Sequence, residues 1–234
     1  MTRPPRRFVI VPAAGAGERF GVELPKQYAD LAGAPVLART LDRLAILECE
    51  QTIVVLANDD REYERRIGAR DGVEVLRCGG ATRAATVRNT LVALASHCAD
   101  DDWILVHDAV RPCVPPDALM RLVCELADDA VGGLLAIPVA DTLKRAEGDR
   151  AVSTANRESL WQAQTPQMFR HAILAAAFER DAQTAVTDEA QAVEALAATG
   201  ACAPPRLVRG SGANLKITYA EDLALAAAIL AIQR

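Results

Sequence analysis

Short apolar runs rich in β-branched residues alternate with longer stretches of helical spacing, and this alternation limits what the chain can fold into. The runs Arg7–Ala13 (RFVIVPA), Thr52–Ala57 (TIVVLA), Val73–Cys78 (VEVLRC), Asp102–Ala109 (DWILVHDA) and Gly132–Ala140 (GGLLAIPVA) read as strands. Between them, Pro35–Leu47, Arg61–Arg70, Ala81–His97 and Pro115–Asp128 read as helices. In the third of these Val87, Leu91 and Leu94 fall on one face, and in the fourth the opening prolines mark a helix start. The order strand, helix, strand implies an α/β domain with a mostly parallel central sheet and helices on both faces. Ligands of such sheets sit beyond the carboxyl ends of the strands. The Ala13–Lys26 loop and the Asp108–Pro112 turn both follow strands, so they are expected to face one crevice.

After Val139 the pattern changes. The segment Asp141–Phe169 places Gly148 between TLKRA and AVSTA and reads as a polar hairpin leaving the main sheet. A lone two-stranded arm is marginal in water, so residues 141–155 are expected to dock on a partner. Helical spacing returns at RHAILAAAFERD and at TDEAQAVEALAATG, the latter with Thr187 or Asp188 as N-cap and Gly200 as its stop. ACAPPRLVRG and NLKIT read as two last strands, and AEDLALAAAILAIQ as a closing, buried helix. With 234 residues and no linker or repeat, one domain over residues 1–234 is the expectation. The apolar run near the N-terminus is about five residues and the one near the C-terminus about ten, too short for a signal core or a membrane span. The chain is expected to be soluble and cytoplasmic.

Composition narrows the function. A net charge of −5 with interspersed signs, and 4% aromatic residues, argue against a nucleic-acid surface or a base-stacking platform. The six cysteines lack C-x-x-C spacing and the three histidines do not cluster with them, which argues against a zinc site and suggests buried free thiols in a reducing cytosol. Of 26 basic residues only Lys26, Lys144 and Lys216 are lysines. A chain that uses arginine for generic surface charge keeps lysine where a compact point charge is wanted.

The loop AAGAG after the first strand is not a dinucleotide fingerprint, because Phe20 stands where the third glycine belongs. Nor is it a Walker loop, since no glycine precedes a lysine. A turn of small residues followed by Arg19 and Lys26 remains. It lets backbone N–H groups approach a phosphate and supplies two cations against charge that builds in a reaction. In HDAVRP, Asp108 could hold Mg²⁺ or a ribose hydroxyl, and Arg111 could grip a phosphate. His107 reads as a packed, structural histidine. GGATRAATV, between a strand and a helix, suits backbone readout of a base or an anion, with Thr86 adding a hydroxyl.

Nearly end to end the sequence resembles the 2-C-methyl-D-erythritol 4-phosphate cytidylyltransferases of the non-mevalonate isoprenoid pathway. The motifs are VPAAGAGERF, PKQY, GG-x-x-R, HDAVRP, PVADTLKR, NRESLW-x-x-QTPQ-x-F, TDEA and NLKIT-x-x-EDL. The resemblance implies a Rossmann-like nucleotidyltransferase domain with a protruding β-arm. It implies transfer of CMP from CTP to methylerythritol phosphate with release of pyrophosphate. Mg²⁺ would be held mainly by the CTP phosphates, and Asp108 is a candidate ligand. By motif, Arg19 and Lys26 stabilise the transition state, while Arg157 and Lys216 orient the acceptor. Ala13, Ala14, Gly15, Gly80, Ala81, Thr86, Asp108 and Ala109 fall at nucleotide-contacting positions. Arg111, Thr142, Arg157, Thr165 and Lys216 fall at acceptor-contacting positions. The arm would join a homodimer and carry Thr142 and Arg157 into the neighbouring site; no nucleic acid or membrane partner is implied. Ala81 and Thr86 depart from an acid and a serine in many relatives, and Glu18 from a residue often basic or small. A cytidylyltransferase acting on another polyol phosphate, such as ribitol 5-phosphate, is the alternative. A nicotinamide-dependent oxidoreductase is disfavoured by the broken fingerprint, and a non-catalytic nucleotide-binding module by the full cation set.

Overall fold

The structure is a computed structural model that describes residues 3–15, 24–180 and 186–233. Its elements run in the order β1 (Arg7–Pro12), β2 (Asp30–Leu31), β3 (Ala34–Pro35), α1 (Val36–Leu44), β4 (Gln51–Val55), α2 (Glu62–Arg66), β5 (Val73–Leu76), α3 (Arg83–Leu94), β6 (Trp103–Val106) and α4 (Pro116–Leu126). There follow β7 (Gly132–Pro138), β8 (Leu143–Glu147), β9 (Arg150–Ala155), β10 (Trp161–Arg170), α5 (His171–Arg180), α6 (Glu189–Ala197), β11 (Arg206–Arg209) and α7 (Asp222–Ile232). Seven strands form one sheet in the order β11-β7-β10-β6-β1-β4-β5. All pairings are parallel except those of β10, which runs antiparallel to both β6 and β7.

The period-2 alternation of each strand divides the core into two layers. In β1, Val9 and Val11 face one side with Leu105 of β6, against Leu37, Leu41 and Leu44 of α1 and Leu119 and Leu122 of α4. Phe8 and Ile10 face the other with Ile104 and Val106, against Val87, Leu91 and Leu94 of α3 and against α5 and α6. The expected one-sided stripe of α3 is therefore its core face. Thr82 caps α3 by accepting from the Ala85 N–H at 3.0 Å, and Asp188 caps α6 by accepting from Gln191 N–H at 3.0 Å. Gly200 sits at φ +83° beyond α6, as a helix stop requires.

Four expectations change. The stretch Trp161–Arg170 is not the tail of the arm but a ten-residue strand at the centre of the sheet. Its polar residues Gln164, Thr165 and Gln167 read as part of the polar hairpin segment, yet all are buried with their polar groups bonded. NLKIT forms no strand. The closing helix α7 is apolar but only Ala226 is buried, while Leu225 and Ile232 are exposed. The six cysteines are unpaired as expected, but only Cys113 is buried; Cys49, Cys78, Cys98 and Cys202 are half-buried and Cys124 is exposed. The hairpin β8–β9 does leave the sheet, turning at Gly148 with φ +60°, and is exposed along nearly its whole length. Among the described residues no helix is long and apolar enough to cross a membrane.

Because β10 is reversed, its first half reaches the edge where β1, β5 and β6 end. Gln164 and Thr165 therefore lie beside the loops that follow those strands.

Candidate active site

The loops after β1 and β5 build one wall. Gln27, buried in a 3₁₀ turn at Lys26–Tyr28, donates through Nε2 to the carbonyls of Ala13 (2.9 Å) and Gly15 (3.1 Å) and so fixes the small-residue loop from behind. Gly79 donates to the Leu56 carbonyl at 3.0 Å. A Cβ on Gly79 would lie 2.4 Å from the Ala14 Cβ and 2.7 Å from the Leu56 oxygen, so the two loops approach closely only because no side chain intervenes. Thr86 donates its hydroxyl to the Thr82 carbonyl and accepts from the Gly80 N–H, each at 3.0 Å. That hydroxyl therefore shapes the loop around Gly80.

The turn after β6 builds the floor. Asp108 is buried and ringed by cations: Arg83 Nε at 3.0 Å, Lys216 Nζ at 2.9 Å and Arg111 Nε at 3.3 Å. Burial alone would raise its pKa, but Arg83, Lys216 and Arg111 hold it well below the usual carboxylate range. Burial lowers the Arg111 pKa against the pull of Asp108. Arg111 also donates from Nη1 to the Asn214 carbonyl at 2.7 Å. Arg83 continues to Glu189, with Nη1–Oε1 at 2.6 Å and Nη2–Oε2 at 3.1 Å. Burial opposes the Arg83 charge, but Glu189 and Asp108 outweigh it and raise the pKa.

His107 is not a base. A carbonyl only accepts, so its contact with Arg111 O at 3.1 Å places the proton on Nε2. Nδ1 then accepts from the Thr165 hydroxyl at 3.1 Å, and Thr165 Oγ1 accepts from the Asp108 N–H at 3.0 Å. Burial lowers the imidazole pKa to about 4, so the ring is neutral at physiological pH.

Two clefts open on this floor. The larger, about 480 Å³, is lined by the loops after β1, β5 and β6 together with Lys26 and Lys216. The smaller, about 150 Å³, is lined by Arg111, Gln164, Thr165 and Asp188 among others. Arg83, Asp108 and Lys216 line both. Of the residues expected from the sequence, Ala13, Ala14, Gly15, Lys26, Gly80, Ala81, Thr86, Asp108, Ala109 and Lys216 border the larger cleft. Arg111 and Thr165 border the smaller. Lys26 Nζ donates to the Ile217 carbonyl at 3.2 Å. Thr142 and Arg157 border neither cleft; Thr142 lies at the base of β8 and Arg157 just beyond β9, both exposed. Arg19 lies outside the described residues.

Sequence reasoning missed Arg83 and Glu189 as site residues. Arg83 was visible as the arginine of GG-x-x-R and Glu189 as the acid of TDEA, but nothing local signals that they meet. It also missed Gln27, whose place in PKQY gives no hint of its support for the loop.

A mostly parallel sheet with a polyanion-sized cleft at its carboxyl edge, walled by small residues and floored by cations, defines a nucleotidyltransferase-like α/β domain. The family model for 2-C-methyl-D-erythritol 4-phosphate cytidylyltransferase (IspD) matches residues 8–232, and the chain belongs to that family. It is 53% identical over 232 residues to the enzyme of that name from Dechloromonas aromatica, covering 97% of this chain and 98% of the relative. It is 54% identical to that of Laribacter hongkongensis over 230 residues, covering 97% of each. A crystal structure of 4-diphosphocytidyl-2C-methyl-D-erythritol synthase superposes with a TM-score of 0.84 at 38% identity, covering 97% of this chain and 99% of that one.

Proposed function

We propose that this chain transfers CMP from CTP to 2-C-methyl-D-erythritol 4-phosphate, forming 4-diphosphocytidyl-2-C-methyl-D-erythritol and pyrophosphate, a step of isoprenoid precursor synthesis. The observation that carries the reading is the pair of clefts sharing Asp108, Arg83 and Lys216. The larger takes CTP and the smaller takes the acceptor phosphate, so the two reactants meet at one cation-lined boundary. An acceptor phosphate oxygen bonds to the α-phosphorus. The bond from that phosphorus to the bridging oxygen breaks, and its electron pair leaves with pyrophosphate. The nucleophile is already an anion, so no base is required. Lys26 and Arg19 answer charge on the pentavalent phosphorus, and Lys216 and Arg111 hold the acceptor against its repulsion by the triphosphate.

Mg²⁺ fits this site as a companion of the triphosphate. Among the described residues no three acids, cysteines or histidines group to hold a metal, and the two oxygens of Asp108 are already shared by three cations. Asp108 would supply one ligand at most. The ion would neutralise part of the triphosphate charge. A cytoplasmic location suits a soluble nucleotide substrate.

The exposed arm supports a homodimer in which Thr142 and Arg157 complete the acceptor cleft of a second copy. Complementation tests this. Lys216→Ala and Arg157→Ala should each be nearly inactive. Random exchange of their subunits leaves about a quarter of the sites free of both substitutions, so mixing should restore about that fraction of activity. No recovery in a verified mixed dimer would sink the shared site. The reaction itself is tested by following pyrophosphate with CTP, Mg²⁺ and methylerythritol phosphate, beside UTP and ribitol 5-phosphate. Family membership favours methylerythritol phosphate over ribitol 5-phosphate. Failure of folded protein to release pyrophosphate would overturn the assignment.

A further inference from the structure

The Arg83–Glu189 pair links the two clefts, and its geometry goes beyond what holding the fold requires. Arg83 is the first residue of α3, on the nucleotide side, and Glu189 the first of α6, on the acceptor side. Glu189 is fully buried. Its two oxygens accept from the two terminal nitrogens of Arg83, a fork that needs the ionised carboxylate. The start of α6 is itself fixed by Gln167 of β10, whose Oε1 accepts from Ala190 N–H at 2.7 Å and whose Nε2 donates to Asp188 at 2.9 Å. With Nε bound to Asp108, three of the five N–H donors of Arg83 are committed before any ligand arrives.

The charge balance gives this arrangement a consequence for binding. Arg83, Arg111 and Lys216 face Asp108 and Glu189 in direct ion pairs, and Asp188 adds a third carboxylate on the wall of the smaller cleft. Without the Glu189 charge the same cluster would carry one more positive charge beside the acceptor cleft, with a guanidinium free to turn into it. We infer that Glu189 is a positioning residue that withholds Arg83 from the acceptor phosphate, leaving Lys216 and Arg111 to set its direction of attack. The inference rests on the assignment of the smaller cleft to the acceptor.

Glu189→Gln keeps the shape and removes the charge. At saturating CTP its KM for methylerythritol phosphate should fall about threefold while kcat falls at least tenfold, the pattern of tighter but misdirected binding. Inorganic phosphate, competing with the acceptor, should inhibit the variant at severalfold lower concentration than the wild type. Arg83 also lines the larger cleft, so the CTP dissociation constant should be measured in parallel and should shift less than phosphate inhibition does. A fall in kcat with KM and phosphate inhibition unchanged would reduce Glu189 to a structural residue and overturn the inference, as would an unchanged kcat. If Glu189→Gln does not fold, Glu189→Asp, too short to keep the fork, should give the same shifts in smaller degree; unshifted phosphate inhibition there also overturns it. Wild-type enzyme run in parallel separates the cases. Inactive wild type refutes the reaction, whereas active wild type with an unaltered variant refutes only the role of Glu189.

Discussion

Lys216 is the position where the proposed chemistry is most exposed to test. Its ammonium lies 2.9 Å from Asp108, borders both clefts, and is 43% exposed. Two unit charges 4 Å apart interact by about 4 kcal/mol at an effective dielectric near 20. Solvent reaches this side chain, so screening leaves about 2–3 kcal/mol for its hold on an acceptor phosphate. If that hold is realised mainly as the phosphate is driven onto the triphosphate, Lys216→Ala should lower kcat/KM by about 30- to 150-fold. Folding should survive, because Asp108 keeps Arg83 and Arg111. Lys216→Arg should recover only part of the loss, since a planar fork cannot replace a point charge beside a cleft of about 150 Å³. Steady-state pyrophosphate release, with a thermal melt to confirm folding, measures all three proteins. A Lys216→Ala enzyme within threefold of wild type in both kcat and KM would refute the reasoning, as would full activity in the arginine variant.

Two further outcomes follow from the scaffold. Gly79→Ala drives a Cβ against Ala14 and the Leu56 carbonyl, and a backbone oxygen cannot rotate away. It should cost about 1–3 kcal/mol in denaturant titration and weaken CTP binding by displacing the Ala14 loop; unchanged stability would mean the loops are not so closely held. His107 has a folded pKa of about 4 against an ordinary value of 6.5. Between those values the unfolded chain binds a proton that the native ring refuses. Its contribution is therefore whole above pH 6.5 and is lost as pH falls toward 4, by roughly 3 kcal/mol in all. The stability of His107→Asn should fall less steeply across that window than the wild type's, and parallel curves would place the loss elsewhere.

The parts of this molecule written locally were legible in the sequence. Short apolar runs such as Phe8–Val11, alternating with stretches of helical spacing, implied the sheet, and the carboxyl-edge rule put the Ala13–Lys26 loop and the Asp108 turn on one crevice, where Gly15 and Asp108 now line the larger cleft. What depends on distant partners was not. The polar residues of β10 look like part of the polar hairpin segment until Ser211, His107 and Asp188 are seen to satisfy them. Conversely, α7 looks like core because it is apolar, but a burial pattern cannot be read from a helix with no polar face to contrast. Glu189 has a charge that its own sequence neighbourhood would place in solvent. Only its meeting with Arg83, 106 residues away, accounts for its burial.

The two groups that could most readily be taken for bases are both unfit for that role. Asp108 is a carboxylate at a strand end, the usual position for one, yet three cations keep it ionised far below neutrality. It therefore has almost no affinity for a proton. His107 beside it has one nitrogen protonated toward Arg111 O and the other occupied by Thr165. A floor on which, among the described residues, neither Asp108 nor His107 can accept a proton suits a nucleophile with no proton to lose. A phosphate oxygen is such a nucleophile, whereas an alcohol would need a base. The remaining demand is electrostatic: two anions must be brought together and the charge at phosphorus met without rearrangement. Cations already fixed by Asp108, such as Lys216 and Arg111, meet it better than free ones, because their desolvation and ordering are settled when the chain folds rather than when the substrates arrive.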